Sequence, residues 1–249
     1  MILRLLTFCF LFAFHTFTHA ETTLIAVAAN FTKPMTEIAA EFEKSTGHTA
    51  QLSFGSSGKF VSQIENGAPF EIFLSADDKN PIKLQQDDFA IAESRFTYAL
   101  GKLVLWSNAA NYVDEKGAIL AKGGFQHIAL ADPKLAPYGA AAIEVLKNMN
   151  VFDTLQPLFV EGENIAQTYQ FVSTGNAELG FVALSQVSEN GKITSGSAWR
   201  VPDNLYSPIR QDAILLKSGE HNPAALALMQ FLKSPKATDI IRNYGYELP

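Results

Sequence analysis

Four times along this chain an apolar, β-branched run gives way to a small polar turn and then to a helical pattern. The first is TLIAVAAN, Thr23 to Asn30, followed by FTKPMTEIAAEFEKSTG, where Met35, Ile38, Ala39 and Phe42 recur at helical spacing, Pro34 suits a first turn and Gly47 ends it. The second is HTAQLSF, then Gly55 to Gly58, then a short helix carrying Phe60, Val61 and Ile64 that stops at Asn66-Gly67. HIALADP, His127 to Pro133, leads through KLAPYG into AAAIEVLKNM, with Ala142, Val145, Leu146 and Met149 on one face. The last is PLFVEGEN and IAQTYQFVSTGN, with Ile165, Thr168, Tyr169 and Val172 on one side, and ELGFVAL then adds another buried strand from Glu178. Repeated strand-to-helix units of this kind predict an α/β fold.

Two early units and two late ones are separated by the long extended run FTYALGKLVLWS, Phe96 to Ser107, and a second such run, NLYSPIRQDAILLK, lies at Asn204 to Lys217. Two extended segments flanking about a hundred residues are what two lobes joined by a two-strand hinge require, with hinge bending near Gly101 and Ser207. The expected layout is residues 21–102 plus 208–249 for lobe 1 and 103–207 for lobe 2, each lobe a mixed sheet flanked by helices, with the C-terminal helical segments returning to lobe 1. In open α/β sheets ligands lie at the carboxyl ends of the strands, so the four junctions are the expected site.

The first twenty residues, MILRLLTFCFLFAFHTFTHA, have the layout of a secretory signal peptide cut after Ala20. Its apolar core, Leu5 to Phe14, is shorter than the roughly 20 residues a bilayer span needs, and no later segment approaches that length. The one cysteine, Cys9, lies in this leader, so the mature chain is expected to carry no thiol and no disulfide. The chain is acidic, with a formal charge of −6, and losing Arg4 with the leader makes it more so. That argues against nucleic acid or an anionic membrane surface as a partner. A small anion stays compatible, because a site of N–H groups and hydroxyls is governed by local dipoles more than by distant screened charge.

The sharper chemical readings fail on spacing. Gly55-Ser56-Ser57-Gly58 places the second glycine one residue too early for a hydrolase elbow, and the mature histidines, His48, His127 and His221, are expected to be solvated. Gly58-Lys59 suggests a phosphate loop, but Phe60 occupies the hydroxyl position and Ser53 the first-glycine position, which leaves Lys59 as a solvated helix residue. Asp77 and Asp78 have no companion cluster for a metal, and Tyr244 and Tyr246 read as packing or surface. What remains is a set of helix N-termini, whose unpaired N–H groups and partial positive charge suit a small anion. Ser57, Asn30, Tyr138-Gly139 and Ile165 stand at those starts, Ile165 through its backbone. Ser57 or Asn30 as a plain N-cap, and Ile165 as plain core, are the competing readings.

AVAANFTKPM, FGSSGKFVSQIENGAPFEIFLSADDKN, LADPKLAPYGAAAIEVL and NIAQTYQFVSTGNAELGFV resemble, in order and spacing, the periplasmic molybdate-binding proteins of ATP-driven uptake systems, over essentially all of Glu21 to Pro249. The resemblance implies a type II periplasmic binding fold and a monomer without cofactor, which holds molybdate or tungstate in a cleft and serves a membrane permease and its ATPase. It implies ligand contacts from Ala29, Asn30, Ser57, Tyr138 through its main-chain N–H, and Ile165 likewise. Some members add a tyrosine hydroxyl where this chain has Ala183, a departure like the branch in which a first-loop asparagine, here Asn30, makes up the donor count. A fully deprotonated MO4 dianion offers acceptors only, so a pocket of donors pairs every contact. Hydrogenphosphate would leave a proton facing a donor, a cost of about 1–3 kcal/mol, while sulfate is rejected by its shorter bonds. The expected role is a carrier, not a catalyst. Its competitors are a carrier of sulfate or thiosulfate, a secreted hydrolase using Ser56 or Ser57, and a sensor that signals to a membrane receptor.

Overall fold

The structure, a computed structural model, describes residues 20–249, so the leader expected over residues 1–20 lies, Ala20 excepted, outside the described residues. Lobe 1 opens with β1 (Thr22–Ala28), α1 (Thr32–Thr46), β2 (Thr49–Gly55), α2 (Ser57–Glu65), β3 (Ile72–Leu74), α3 (Lys79–Gln86) and β4 (Phe96–Gly101). The chain then crosses into lobe 2 for β5 (Leu103–Ser107), α4 (Ile119–Lys122), β6 (Ile128–Ala131), α5 (Pro137–Asn148), α6 (Phe152–Leu155), β7 (Phe159–Gly162), α7 (Ile165–Ser173) and β8 (Leu179–Ala183). After α8 (Leu184–Val187) a small ribbon, β9 (Ser188–Glu189) with β10 (Lys192–Ile193), precedes β11 (Ser197–Arg200). It returns through β12 (Ile209–Leu215), and α9 (Pro223–Phe231) and α10 (Pro235–Asn243) close lobe 1.

The two sheets share one plan. Lobe 1 runs β2-β1-β3-β12-β4 and lobe 2 runs β7-β6-β8-β5-β11. In each, three parallel strands are followed by an antiparallel pair, and the first strand of that pair is the one that has just crossed from the other lobe. The long run Phe96 to Ser107 is thus two strands in two sheets, broken at Lys102, and not one continuous strand. Lys102 marks the crossing chemically: its ammonium pairs with Asp203 at 2.8 Å and Glu247 at 3.1 Å, one carboxylate from the segment entering β12 and one from the C-terminal segment.

Local physics accounts for the elements that carry the cleft. On α1 the residues Met35, Ile38 and Phe42 are fully buried, and Gly47 at φ 77° supplies the left-handed residue that lets the helix stop. Ala142, Val145 and Leu146 are buried on α5, which begins at Pro137, earlier than its apolar stripe alone announces. Proline is at home there, because a first-turn residue has no helical acceptor for an N–H. Tyr169 on α7 stacks on Trp106 of β5 with ring centroids 5.3 Å apart, while Ile165, Thr168 and Val172 face inward. The helices α9 and α10 bury Ala225, Leu228, Ile240 and Ile241 against the same apolar cluster as α1, which ties the end of the chain to lobe 1.

Candidate functional site

The carboxyl ends of β1, β2, β6 and β7 meet across the cleft. Between them lies a cavity lined by Ala28, Ala29, Asn30, Ser57, Tyr138 and Ile165, with Gly55, Ser56, Ala76, Ala136, Pro137 and Asn164 completing its wall. All five residues singled out in the sequence are thus brought to one place, three from lobe 1 and two from lobe 2. No lysine, arginine or carboxylate is among them. The cavity is small, with an empty volume of about 200 Å³.

Helix starts line this space, and the caps explain which of their N–H groups are left without a partner. Asn164 caps α7 with its side-chain oxygen, accepting from the N–H of Ala166 at 3.0 Å and Gln167 at 3.1 Å, so the N–H of Ile165 is the one it leaves. On α5, Pro137 has no N–H, the N–H groups of Gly139 and Ala140 turn back to Ala136, and that of Tyr138 is the remainder. Ser57 is the first residue of α2 and the N-cap is Ser56, so Ser57 is not a cap; its hydroxyl accepts the N–H of Ala76 at 3.0 Å and keeps its own hydrogen to give. Ala29 and Asn30 sit in a 3-10 turn, Ala29–Phe31, whose leading N–H groups have no partner within the turn.

Beneath the cavity lies a buried polar network that the sequence did not announce. The Asn30 side-chain amide donates to Gln211 Oε1 at 2.8 Å and to the Tyr246 hydroxyl at 2.9 Å, so both its hydrogens are engaged and the free donor of Asn30 is its main-chain N–H. Tyr98 donates to Gln211 Oε1, and Gln211 Nε2 donates across to the Tyr138 hydroxyl of lobe 2 at 3.1 Å. Ser185, just past β8, donates to the carbonyl of Asn30 at 2.9 Å and accepts from Tyr246 at 3.0 Å. Tyr246, read from its place near the C-terminus as packing or surface, is therefore a buried member of the network. Ala183 ends β8 fully buried, its N–H held by Gln186 Oε1 at 2.9 Å, while Gln186 Nε2 donates to the carbonyl of Ile165 at 3.0 Å.

Burial drives the ionisation of these phenols upward: Tyr98 and Tyr138 stand well above their ordinary value and Tyr246 is pushed up to about 12. They stay protonated donors through the neutral range. Above about pH 10 the unfolded chain ionises its tyrosines first and the folded chain does not, so stability present below that pH is lost as pH rises toward the folded value. Thermal melts should accordingly be level in phenol protonation from neutral pH to about 9 and decline from about 10 upward. A tyrosine absorbance titration that shows every phenol ionising near 10 in the native protein would contradict this.

Other contacts shut the lobes over the cavity. The N–H of Gly58 donates to the carbonyl of Leu135 at 2.9 Å, and Lys59 pairs with Glu163 at 3.0 Å. Lys59 is exposed, as expected, but it is spent on the opposite lobe; an exposed pair of this kind contributes about 0–1 kcal/mol. One expectation is corrected: His48 is not solvated. It is 9% exposed, stacks on Phe42 and accepts the N–H of Glu21 through Nδ1 at 3.1 Å, while His127 and His221 are exposed. Among the described residues no group of three or more His, Cys, Asp or Glu could hold a metal ion.

The model of a family described as bacterial extracellular solute-binding protein matches residues 23–247. The chain belongs to that family. This solute-binding protein is 59% identical over 229 residues to the molybdate-binding protein ModA of Azotobacter vinelandii, covering 92% of this chain and 91% of that one. It is 55% identical over 227 residues to ModA of Rhodobacter capsulatus, with 91% and 88% covered. Among solved structures it superposes on the Azotobacter vinelandii periplasmic molybdate-binding protein with a TM-score of 0.88 at 44% identity, over 91% of this chain and 99% of the other. The two-lobed α/β architecture expected from the sequence is that of these solute-binding proteins.

Proposed function

We propose that this chain captures molybdate, and tungstate with it, in the interlobe cavity and delivers it to an ABC-type membrane permease driven by its ATPase subunit. The observation that carries the reading is a small cavity walled by helix starts and hydroxyls from both lobes and by no charged side chain. An acceptor-only dianion satisfies such a wall, and the relatives of this chain bind molybdate by name. The contacts are those of Ala29, Asn30, Ser57, Tyr138 and Ile165. Lobe 1 is residues 21–102 plus 208–249 and lobe 2 is 103–207, which places the hinge where the chain crosses between sheets.

The protein works as a periplasmic monomer, a carrier without cofactor and without catalysis. Among the described residues no helix is long and apolar enough to cross a membrane, and Ser57 has no histidine in the cavity wall to activate it. Closure is ligand-driven: only the guest pairs the N–H groups of both lobes at once, and its differential affinity shifts the population toward the closed form.

Titration calorimetry against molybdate, tungstate, sulfate and phosphate decides the matter. Molybdate and tungstate should bind and phosphate should not; tight sulfate binding with none of molybdate would overturn the assignment. Ser57→Ala should weaken molybdate by about 1.5–3 kcal/mol, the size of a hydrogen bond to a charged group. Unchanged affinity in that variant would remove Ser57 from the site.

A further inference from the structure

We propose that the hydroxyl of Ser56, the residue before the serine identified above, also donates to the bound oxyanion, so that one turn supplies two adjacent O–H donors. The inference rests on the oxyanion reading of the cavity and adds a contact to it. Three observations point there. Ser56 is 2% exposed and lines the cavity, yet its hydroxyl oxygen is buried with no hydrogen-bond partner. Ser56 is the N-cap of α2, with φ −77° and ψ 144°, and a serine there ordinarily accepts an N–H of the first turn. It makes no such bond, and the Gly58 N–H within its reach is donated across the cleft to Leu135 instead.

The remaining donors explain why a second hydroxyl is wanted. Both amide hydrogens of Asn30 are committed to Gln211 and Tyr246, and Ala183 has no hydroxyl to offer. Ser57 contributes one hydrogen while its oxygen is held by Ala76. A buried hydroxyl without a partner is unfavourable, and in this wall the one group that would relieve it is the guest. The ligand class is a compact, fully deprotonated oxyanion, since a hydroxyl serving it as donor needs an acceptor on the other side.

The test compares Ser56→Ala and Ser56→Thr with the unmodified protein, by molybdate calorimetry and by melting of the ligand-free form. Ser56→Ala should weaken molybdate by about tenfold or more, while the ligand-free melting temperature stays level or rises, because an unpaired hydroxyl has been removed. Ser56→Thr keeps the hydroxyl and should bind within about threefold of the unmodified protein. The proposal is overturned if Ser56→Ala binds within about twofold of it, or if its ligand-free melting temperature falls with affinity unchanged, the signature of an ordinary cap. Should Ser56→Ala fail to fold, a loss of affinity of about tenfold or more in Ser56→Thr overturns it, and binding within about threefold in Ser56→Thr supports it. If the unmodified protein binds no molybdate, the oxyanion reading fails and this inference with it; if it binds and Ser57→Ala alone is impaired, only this inference fails.

Discussion

Gly139→Ala is expected to destabilise the protein by about 3 kcal/mol, toward or beyond the upper end of the usual overpacking range, and to weaken molybdate binding by at least about tenfold. Propensity points the other way: alanine in a helix is favoured over glycine by about 1 kcal/mol. The contest is settled by distance. A Cβ on Gly139 would lie 2.0 Å from the carbonyl oxygen of Ala131 and 2.7 Å from its carbon. Carbon and oxygen in weak contact stand about 3.3–3.6 Å apart, and both sides here are backbone, so no side chain can swing away. The first turn of α5 would have to retreat by more than about 1 Å from the end of β6, taking the Tyr138 N–H with it. A melting temperature lower by roughly 6–12 °C follows from about 2–4 °C per kcal/mol for a chain of this size. Ala140→Gly serves as the control for helix propensity at the neighbouring, half-buried position, and should keep affinity while losing about 1 kcal/mol. If Gly139→Ala melts at or above the unmodified protein, the close approach is not what holds Tyr138 in place.

The parts of this molecule that were legible in the sequence are the ones governed by short range. A strand that ends, a turn of small residues and a helix that starts all leave their marks within about fifteen residues, and so Asn30, Ser57, Tyr138 and Ile165 could be picked out and do share one cavity. The common plan of the two sheets left no trace as an internal repeat, because three parallel strands followed by an antiparallel pair can be built from unrelated apolar residues. Gln211 and Ser185 were missed for a different reason. Each is an ordinary polar residue whose role is set by partners far along the chain: Gln211 meets Asn30 and Tyr138, and Ser185 meets Asn30 and Tyr246. The pattern of β12 held a usable signal, since Arg210, Gln211 and Asp212 interrupt its apolar residues, and Gln211 and Asp212 are fully buried. A buried polar pair inside a strand asks for partners, and Asp212 finds Arg95 and Thr97 as Gln211 finds the tyrosines.

Gln211→Leu should cost about 2–4 kcal/mol of stability and loosen the closed form, because one amide serves both lobes. Its oxygen accepts from Asn30 at 2.8 Å and Tyr98 at 3.0 Å, and its nitrogen donates to Tyr138 at 3.1 Å. Leucine fills nearly the same volume, so the loss is of hydrogen bonds and not of packing. Asn30 and Tyr98 retain second partners in Tyr246 and the Ser75 carbonyl, which caps the damage in lobe 1. Tyr138 loses its bond to β12, beside Gly101, where even a methyl group would fall 2.2 Å from the Tyr138 hydroxyl. Gln211→Glu separates the two consequences. A carboxylate still accepts from Asn30 and Tyr98 and can accept from Tyr138, so the network survives, but a buried negative charge now stands behind the cavity wall. Repulsion of a dianion at low local dielectric should then weaken binding more than folding. Leucine is thus expected to lower the melting temperature most, and glutamate to lower molybdate affinity most. Equal melting temperatures for Gln211→Leu and the unmodified protein would show that the lobes are held together elsewhere, and full affinity in Gln211→Glu would show that the network does not reach the guest.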